Sequence, residues 1–256
     1  MNSPSPRSPV PFLSLALALA LTACAGPQAP AEAEQQVAAG LAPSLALEQS
    51  SVKAGINDNF LDPGLDVESF IDRFEGESRE IAANRGALVE VLRLAPGMDV
   101  ADVGSGTGLF LSPLARGVGA EGTVYAVDIS PVFVEHLRER AAEAGLAQVQ
   151  VVQCSERSAE LPEASVDLIF VCDTYHHFEY PQHTLASLRS ALRPGGRLVV
   201  VDFERIPGVS RDWMLDHVRA GKEVFRAEIE AAGFGFVQEV DVAGLEENYL
   251  LIFRRD

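Results

Sequence analysis

Three glycines fall within five residues, Gly104-Ser105-Gly106-Thr107-Gly108, directly after the apolar stretch Val100-Ala101-Asp102-Val103 and before a helix-forming segment. Glycine lets the backbone turn sharply and brings bare main chain against a ligand, while a helix that opens there presents unpaired amide donors. Two acids flank the loop. Asp102 lies in the strand before it, and Asp128 lies 20 residues beyond Gly108 at the end of the next predicted strand. A carboxylate so placed can accept both hydroxyl protons of a ribose. Strand, glycine loop, helix and strand-end acid in that order read as a nucleoside-binding site. A dinucleotide site wants G-x-G-x-x-G, or Ala at its last position, and Leu109 stands where that third small residue should be. No Gly-Lys-Ser/Thr follows, which excludes a Walker-type phosphate loop.

A second group of reactive side chains follows a later strand, in Asp173-Thr174-Tyr175-His176-His177-Phe178. His176 or His177 could take a proton from a hydroxyl or an amine. The other reading is that they cap the next helix or pack beneath the loop, and two neighbours in one loop are not expected to point the same way. Glu204 and Trp213 are further candidates to line a site. The stretch Phe74-Glu75-Gly76-Glu77-Ser78-Arg79-Glu80 either places Arg79 or Glu77 over a ligand as a lid or forms a solvated helix face.

The elements that must position these residues are legible from periodicity. Residues 66–94 carry a helical pattern interrupted near Gly76 and closed by Pro96-Gly97. Strands are expected at 100–103, 123–127, 149–153, 166–172 and 197–201, with helices at 109–118, 131–144 and 183–192 between them. Strands that are apolar without interruption, alternating with helices, mean a parallel sheet covered on both faces. A helix at 223–232 and strands at 236–242 and 248–253 complete the chain. Those two strands have only a short link, so they pair antiparallel. The expected fold is α/β, a doubly wound, mainly parallel seven-stranded sheet ending in an antiparallel hairpin.

Taken together, Val-Ala-Asp-Val-Gly-Ser-Gly-Thr-Gly at 100–108, Ala-Val-Asp-Ile-Ser at 126–130, Leu-Pro-Glu-Ala-Ser-Val-Asp-Leu-Ile-Phe at 161–170 and Leu-Arg-Pro-Gly-Gly-Arg-Leu at 192–198 resemble the class I S-adenosylmethionine-dependent methyltransferases. The resemblance runs from about Glu75 to the C-terminus. It implies S-adenosylmethionine as cofactor, a central first strand with the second and third to one side and the fourth to the other, and a set of site residues. Gly104, Gly106 and Gly108 would pack against the methionine part, with Asp102 below them. Asp128 would hold the ribose, Ile129 would lie against the adenine, and the chain around Cys172 and Asp173 would face the cofactor's amino group. Family members often carry an acid directly after the third strand for the adenine amino group; here Cys154-Ser155-Glu156 gives two registers, with Glu156 preferred and Ser155 the alternative. Three carboxylates suit a ligand with both a sulfonium and an ammonium, and would repel a pyrophosphate. The implied activity is methyl transfer to a small-molecule or envelope acceptor. The rival expectations are a module that binds S-adenosylmethionine or a nucleoside without transfer, and a nicotinamide-dependent oxidoreductase.

Composition bounds the partners. Against 20 Lys and Arg stand 37 Asp and Glu, a formal charge of −17, which repels phosphate backbones and argues against nucleic acid. The N-terminus reads as an address. Arg7 precedes an apolar stretch at 10–23, too short for the roughly 20 residues that a membrane span requires, and Leu21-Thr22-Ala23-Cys24 resembles a bacterial lipobox. The expected organisation is a signal peptide at 1–23, lipidated Cys24 and a flexible tether at 24–56, a helical segment at 57–95 and the cofactor-binding domain at 96–256. This predicts an exported protein facing the periplasm, touching the membrane only through its lipid. Cys154 and Cys172 would end strands three positions apart, about 14 Å at the usual strand spacing, and so are expected as free thiols.

Overall fold

The computed structural model describes residue 1, residues 50–76 and residues 79–256. Residues 2–23 of the expected signal peptide, Cys24, the tether up to residue 49, and Glu77 of the expected lid lie outside the described residues. Packing divides the chain into Met1–Ala42 and Pro43–Asp256, and every described helix and strand belongs to the second unit. None of the described helices is long and apolar enough to cross a membrane.

Helices α1 (Asp58–Leu61), α2 (Val67–Glu75), α3 (Glu80–Ala83) and α4 (Arg85–Leu92) precede strand β1 (Asp99–Val103). The alternation continues through α5 (Leu111–Val118), β2 (Thr123–Asp128), α6 (Pro131–Glu143), β3 (Val149–Gln153) and β4 (Val166–Cys172). A 3-10 turn (Tyr175–His177), α7 (Pro181–Ala191), β5 (Leu192–Phe203), α8 (Asp212–His217), α9 (Lys222–Ala231), β6 (Phe234–Glu239) and β7 (Asn248–Arg255) follow. Local sequence explains several boundaries. Pro131 and Pro181 start α6 and α7, where a missing N–H costs nothing, and the Ser130 hydroxyl caps α6 by accepting from the Phe133 N–H.

One seven-stranded sheet has the order β3-β2-β1-β4-β5-β7-β6. Strands β1 to β5 pair in parallel, and β7 runs antiparallel to both β5 and β6. Alternate residues of the central strands enter two different cores. Ala101, Ile169, Val171, Leu198 and Val200 pack with Leu185, Leu188, Phe225 and Ile229 of α7 and α9. Val100, Leu168, Phe170, Val199 and Val201 pack on the other face with Leu88, Leu92, Leu114 and Val118 of α4 and α5. Burial on both faces is what makes these strands apolar without alternation. The expected sheet, its strand order and its closing hairpin are all present.

Four details differ from expectation, the first being that β6 runs over Phe234–Glu239 where a strand at 236–242 was expected. Strand β5 begins at Leu192 and takes in Arg193-Pro194-Gly195-Gly196 through an irregularity in its pairing with β4, where Val166 opposes Leu192 and Leu168 opposes Arg197. Helix α8 was not expected, since six residues carry too little periodicity to register. Residues 51–53 are docked on the domain rather than loose: the Val52 N–H donates to the Glu179 carbonyl at 2.9 Å, the Ser51 hydroxyl to the Glu179 carboxylate at 2.6 Å, and Lys53 Nζ to the carbonyls of Asp216 and His217 at 2.6 Å each.

Candidate cofactor and acceptor site

The strand order reverses between β1 and β4, and in open α/β sheets ligands bind at the carboxyl ends of the strands at such a point. A cavity of about 940 Å³ lies there, within the range of small-molecule sites. Gly104, Gly106, Asp102, Asp128, Ile129, Glu156, Asp173, His176 and His177 all line it, so the structure gathers nearly every residue singled out from sequence.

The glycine loop is built by close approach. A Cβ on Gly104 would meet the Thr174 side chain at 2.3 Å, so the loops after β1 and β4 touch only because this residue is glycine. At Gly106, with φ +52°, a Cβ would meet nothing nearer than the Phe74 ring at 3.7 Å, leaving bare main chain open to the cavity. Gly108 does not line the cavity. Its Cβ would strike Leu111 at 2.6 Å and Leu137 at 3.0 Å, so it packs the turn against α6 instead of touching a ligand. Leu109, which replaces the third glycine of a dinucleotide loop, does line the cavity.

Asp128 accepts from the Gly106 N–H at 2.7 Å and the Ser130 N–H at 2.9 Å, which ties the loop to the end of β2. Each carboxylate oxygen retains a further lone pair for a ribose hydroxyl. Burial pushes the Asp128 carboxyl up to about 6, opposed by these backbone donors. Asp102 is more exposed to the problem: burial, with a contribution from the charge of Asp128, pushes it up to about 7. Its Oδ2 is buried with no hydrogen-bond partner among the described residues. Asp173 adopts φ +49°, pairs with Arg79 and accepts from Asn248 Nδ2, yet burial still pushes it up to about 6. The Oδ1 of Asn248 is also buried without a partner among the described residues. Three desolvated carboxyls and two unsatisfied oxygens call for a cationic, donor-rich ligand, and S-adenosylmethionine, with its sulfonium and ammonium, fits that demand.

Beyond the loop the walls are aromatic. Phe60, Phe70 and Phe133 meet at centroid distances of 5.5–6.2 Å, and Phe74 joins Phe70 at 5.2 Å. The 3-10 turn after β4 brings both histidines into this wall, contrary to the expectation that neighbours diverge; their ring centroids are 4.3 Å apart. His176 is buried, and Asp202 accepts from both its backbone N–H at 3.0 Å and its Nδ1 at 2.8 Å. His177 Nε2 lies 3.3 Å from Nε2 of His217. Burial first, then the neighbouring imidazoles and Lys53, holds His177 well below its ordinary value, and burial is the main cause that holds His217 down to about 4.

Of the further candidates, Trp213 and Arg79 line the cavity; Glu204 does not, and pairs with Lys222 at 2.6 Å. Ser155 and Glu156 both line it, so the two registers after β3 stay side by side. Sequence reasoning missed Asp202, His217 and Asn248. Asp202 had a readable signal, a lone acid closing the apolar run Val199-Val200-Val201, whereas His217 and Asn248 sit in no motif. Cys154 and Cys172 are free thiols, as expected.

Fold and site together define a doubly wound α/β protein whose cavity at the topological switch point has the lining that a nucleoside-bearing ligand requires. Residues 101–200 match the family model described as a methyltransferase domain. Over 111 residues, 43% of this chain and 43% of the relative, the chain is 30% identical to the ubiquinone/menaquinone biosynthesis C-methyltransferase UbiE of Bordetella avium. Over 137 residues, 54% of this chain and 49% of the relative, it is 32% identical to the nocamycin O-methyltransferase of Saccharothrix syringae. The chain thus spans about half the length of the curated relatives it matches. A crystal structure of a SAM-dependent methyltransferase from Aquifex aeolicus superposes with a TM-score of 0.66 at 25% identity, covering 75% of this chain and 99% of that one. Over residues 101–200 the chain is thus similar to S-adenosylmethionine-dependent methyltransferases.

Proposed function

We propose that the protein transfers a methyl group from S-adenosylmethionine to a small, partly apolar acceptor bearing a hydroxyl or comparable nucleophile. The observation that carries this reading is the ring of three buried carboxyls, each pushed towards neutrality, around an open glycine loop in one cavity. S-adenosylmethionine, when bound, supplies an electrophilic methyl group on a sulfonium. Asp128 would hold the ribose hydroxyls, the Gly104–Gly106 main chain and Asp102 the methionine end, Asp173 and Asn248 the ammonium, Ile129 the adenine face, and Glu156 or Ser155 the adenine amino group.

At the acceptor end the aromatic wall excludes water and favours an apolar body. Alignment of acceptor and methyl within about 3–3.5 Å supplies much of the catalysis in such a displacement. Asp202 fixes the His176 ring through Nδ1, which leaves Nε2 as the nitrogen able to accept a proton, and burial holds the His177 imidazole well below its ordinary value. Either imidazole would take the proton that a hydroxyl acceptor must lose. The C- and O-methyltransferase names of the two relatives leave both carbon and oxygen acceptors open to trial. Incubation with methyl-tritiated S-adenosylmethionine and a panel of phenols, hydroquinones and aliphatic alcohols should label at least one acceptor class. Tight cofactor binding with no label in any of them would instead make this a binding module.

The N-terminal address is part of the same proposal: residues 1–23 are removed and Cys24 is lipidated, leaving the domain on a tether outside the cytoplasm. The order of Arg7, the apolar stretch at 10–23 and Leu-Thr-Ala-Cys supports it. Globomycin should cause the unprocessed precursor to accumulate; an intact N-terminus in the cytoplasm, insensitive to the drug, would overturn it.

A further inference from the structure

We propose that His176, His177 and His217 form a three-histidine site for a zinc-type divalent metal ion in the wall of the cavity. One nitrogen from each lies within 4.8 Å of the other two. Nε2 of His177 and Nε2 of His217 are 3.3 Å apart. Ligand nitrogens about 2.05 Å from a tetrahedral zinc are separated by roughly 3.3–3.4 Å, so this pair already has the spacing of two ligands and the third is within a shift on the order of 1–2 Å of it.

The three come from two separate elements. His176 and His177 share the 3-10 turn after β4, and His217 ends α8, where Lys53 holds the helix terminus through the carbonyls of Asp216 and His217. The shell outside the ligands also has the arrangement that metal sites use. Asp202, fully buried, accepts from His176 Nδ1 at 2.8 Å, which fixes the tautomer and leaves Nε2 as the nitrogen available to ligate, as the carboxylate–histidine pairs behind zinc ligands do. Phe60, Phe203 and Trp213 pack on the three rings at centroid distances of 5.2, 5.6 and 6.2 Å, which restricts their rotation. Asp202 supplies a negative charge in contact with the cluster, partly offsetting the cation of Lys53.

An all-imidazole donor set suits zinc, cobalt, nickel or copper and is poor for magnesium or calcium, which require oxygen. Three protein ligands leave a fourth position, the pattern of a site that binds an exogenous oxygen. All three histidines line the cavity shared with the glycine loop, so that position falls on the acceptor's side. Metal binding stands independently of methyl transfer. Its use, to hold the acceptor's oxygen and lower the pKa of its hydroxyl so that the proton leaves to water in place of transfer to a free imidazole, rests on the methyltransferase reading and narrows the acceptor to molecules with a metal-binding oxygen.

The test is titration of the tag-free, full-length, metal-stripped chain with Co2+, read by visible absorption, followed by displacement with Zn2+. The expected result is one equivalent bound with the intense bands of tetrahedral cobalt, and at least 100-fold weaker binding in a His217→Ala variant whose melting curve shows it folded. His183→Ala, outside the cluster, should bind as the parent does. Absence of stoichiometric binding, an octahedral spectrum, or binding unchanged in His217→Ala would overturn the site and leave the three rings as a hydrogen-bonded packing cluster. Asp202→Asn provides a second check, with affinity expected to fall 10- to 100-fold. S-adenosylmethionine titrated into the same preparation reports separately: no heat there alongside an intact cobalt spectrum refutes the methyltransferase and leaves the metal site standing.

Discussion

Asp102 should trade stability for binding, and replacing it with asparagine separates the two. At pH 8 the folded chain holds an ionised carboxyl that is 3% exposed, with one oxygen unpartnered among the described residues. Raising a carboxyl from 3.8 to about 7 corresponds to roughly 4 kcal/mol of destabilisation once the group is ionised in both the folded and unfolded chain. The sign follows from proton uptake. Between about pH 4 and 7 the folded state binds the proton and the unfolded state does not, so the cost grows as pH rises through this window and disappears below it. Asparagine keeps the shape without the charge. Asp102→Asn should therefore stabilise the ligand-free protein at pH 8 by about 2–4 kcal/mol, raising the melting temperature by at least about 4 °C. The gain should shrink to roughly half at pH 5.5. Binding should move the other way: loss of a charged acceptor facing a cationic ligand costs about 1.5–3 kcal/mol, or 10- to 100-fold in S-adenosylmethionine affinity. Thermal melts at the two pH values and calorimetry read both arms. A variant that melts lower at pH 8 and binds the cofactor like the parent would show that Asp102 serves the turn, and the reasoning from its burial would fail.

Asp128→Ala should lower both quantities, because it strands the Gly106 and Ser130 amides as well as the ribose; a loss of about 1–3 kcal/mol in stability and at least 10-fold in affinity is expected from the same melts and titrations. The two loop glycines should differ. Gly104→Ala drives a Cβ into Thr174 and should cost at least about 2 kcal/mol, whereas Gly106→Ala has room and should cost about 1 kcal/mol while still blocking the ligand; equal stability losses would contradict the cradle. Burial pushes the Cys154 thiol up to about 12 and Cys172 well above its usual range, so iodoacetamide at pH 8 should label neither in the folded chain and both in urea, as read by peptide mass spectrometry.

The parts of the molecule that local rules govern were legible in its sequence. Strands β3 and β4 run over the residues expected for them, since β-branched runs bounded by turn residues leave little choice of register. The antiparallel closing hairpin followed from the short link between its strands. Asp128 could be placed because a strand end at fixed spacing from a glycine loop is itself a local pattern. What failed to show depends on tertiary approach. Gly108 looks like a third ligand glycine in one dimension, but its neighbours Leu111 and Leu137 claim the space in three. His176 and His177 share a wall because a 3-10 turn, too short to leave a periodic trace, aims them together. His217 joins them from 40 residues away, on a helix of six residues, and nothing along the chain marks that meeting.

The most direct measurement is calorimetric titration of the full chain with S-adenosylmethionine, S-adenosylhomocysteine and NAD, with Asp128→Ala alongside. Saturable binding of the first two is expected, weakened at least 10-fold in the variant, with none of NAD. Silence with both sulfur nucleosides, or binding of NAD alone, would contradict it.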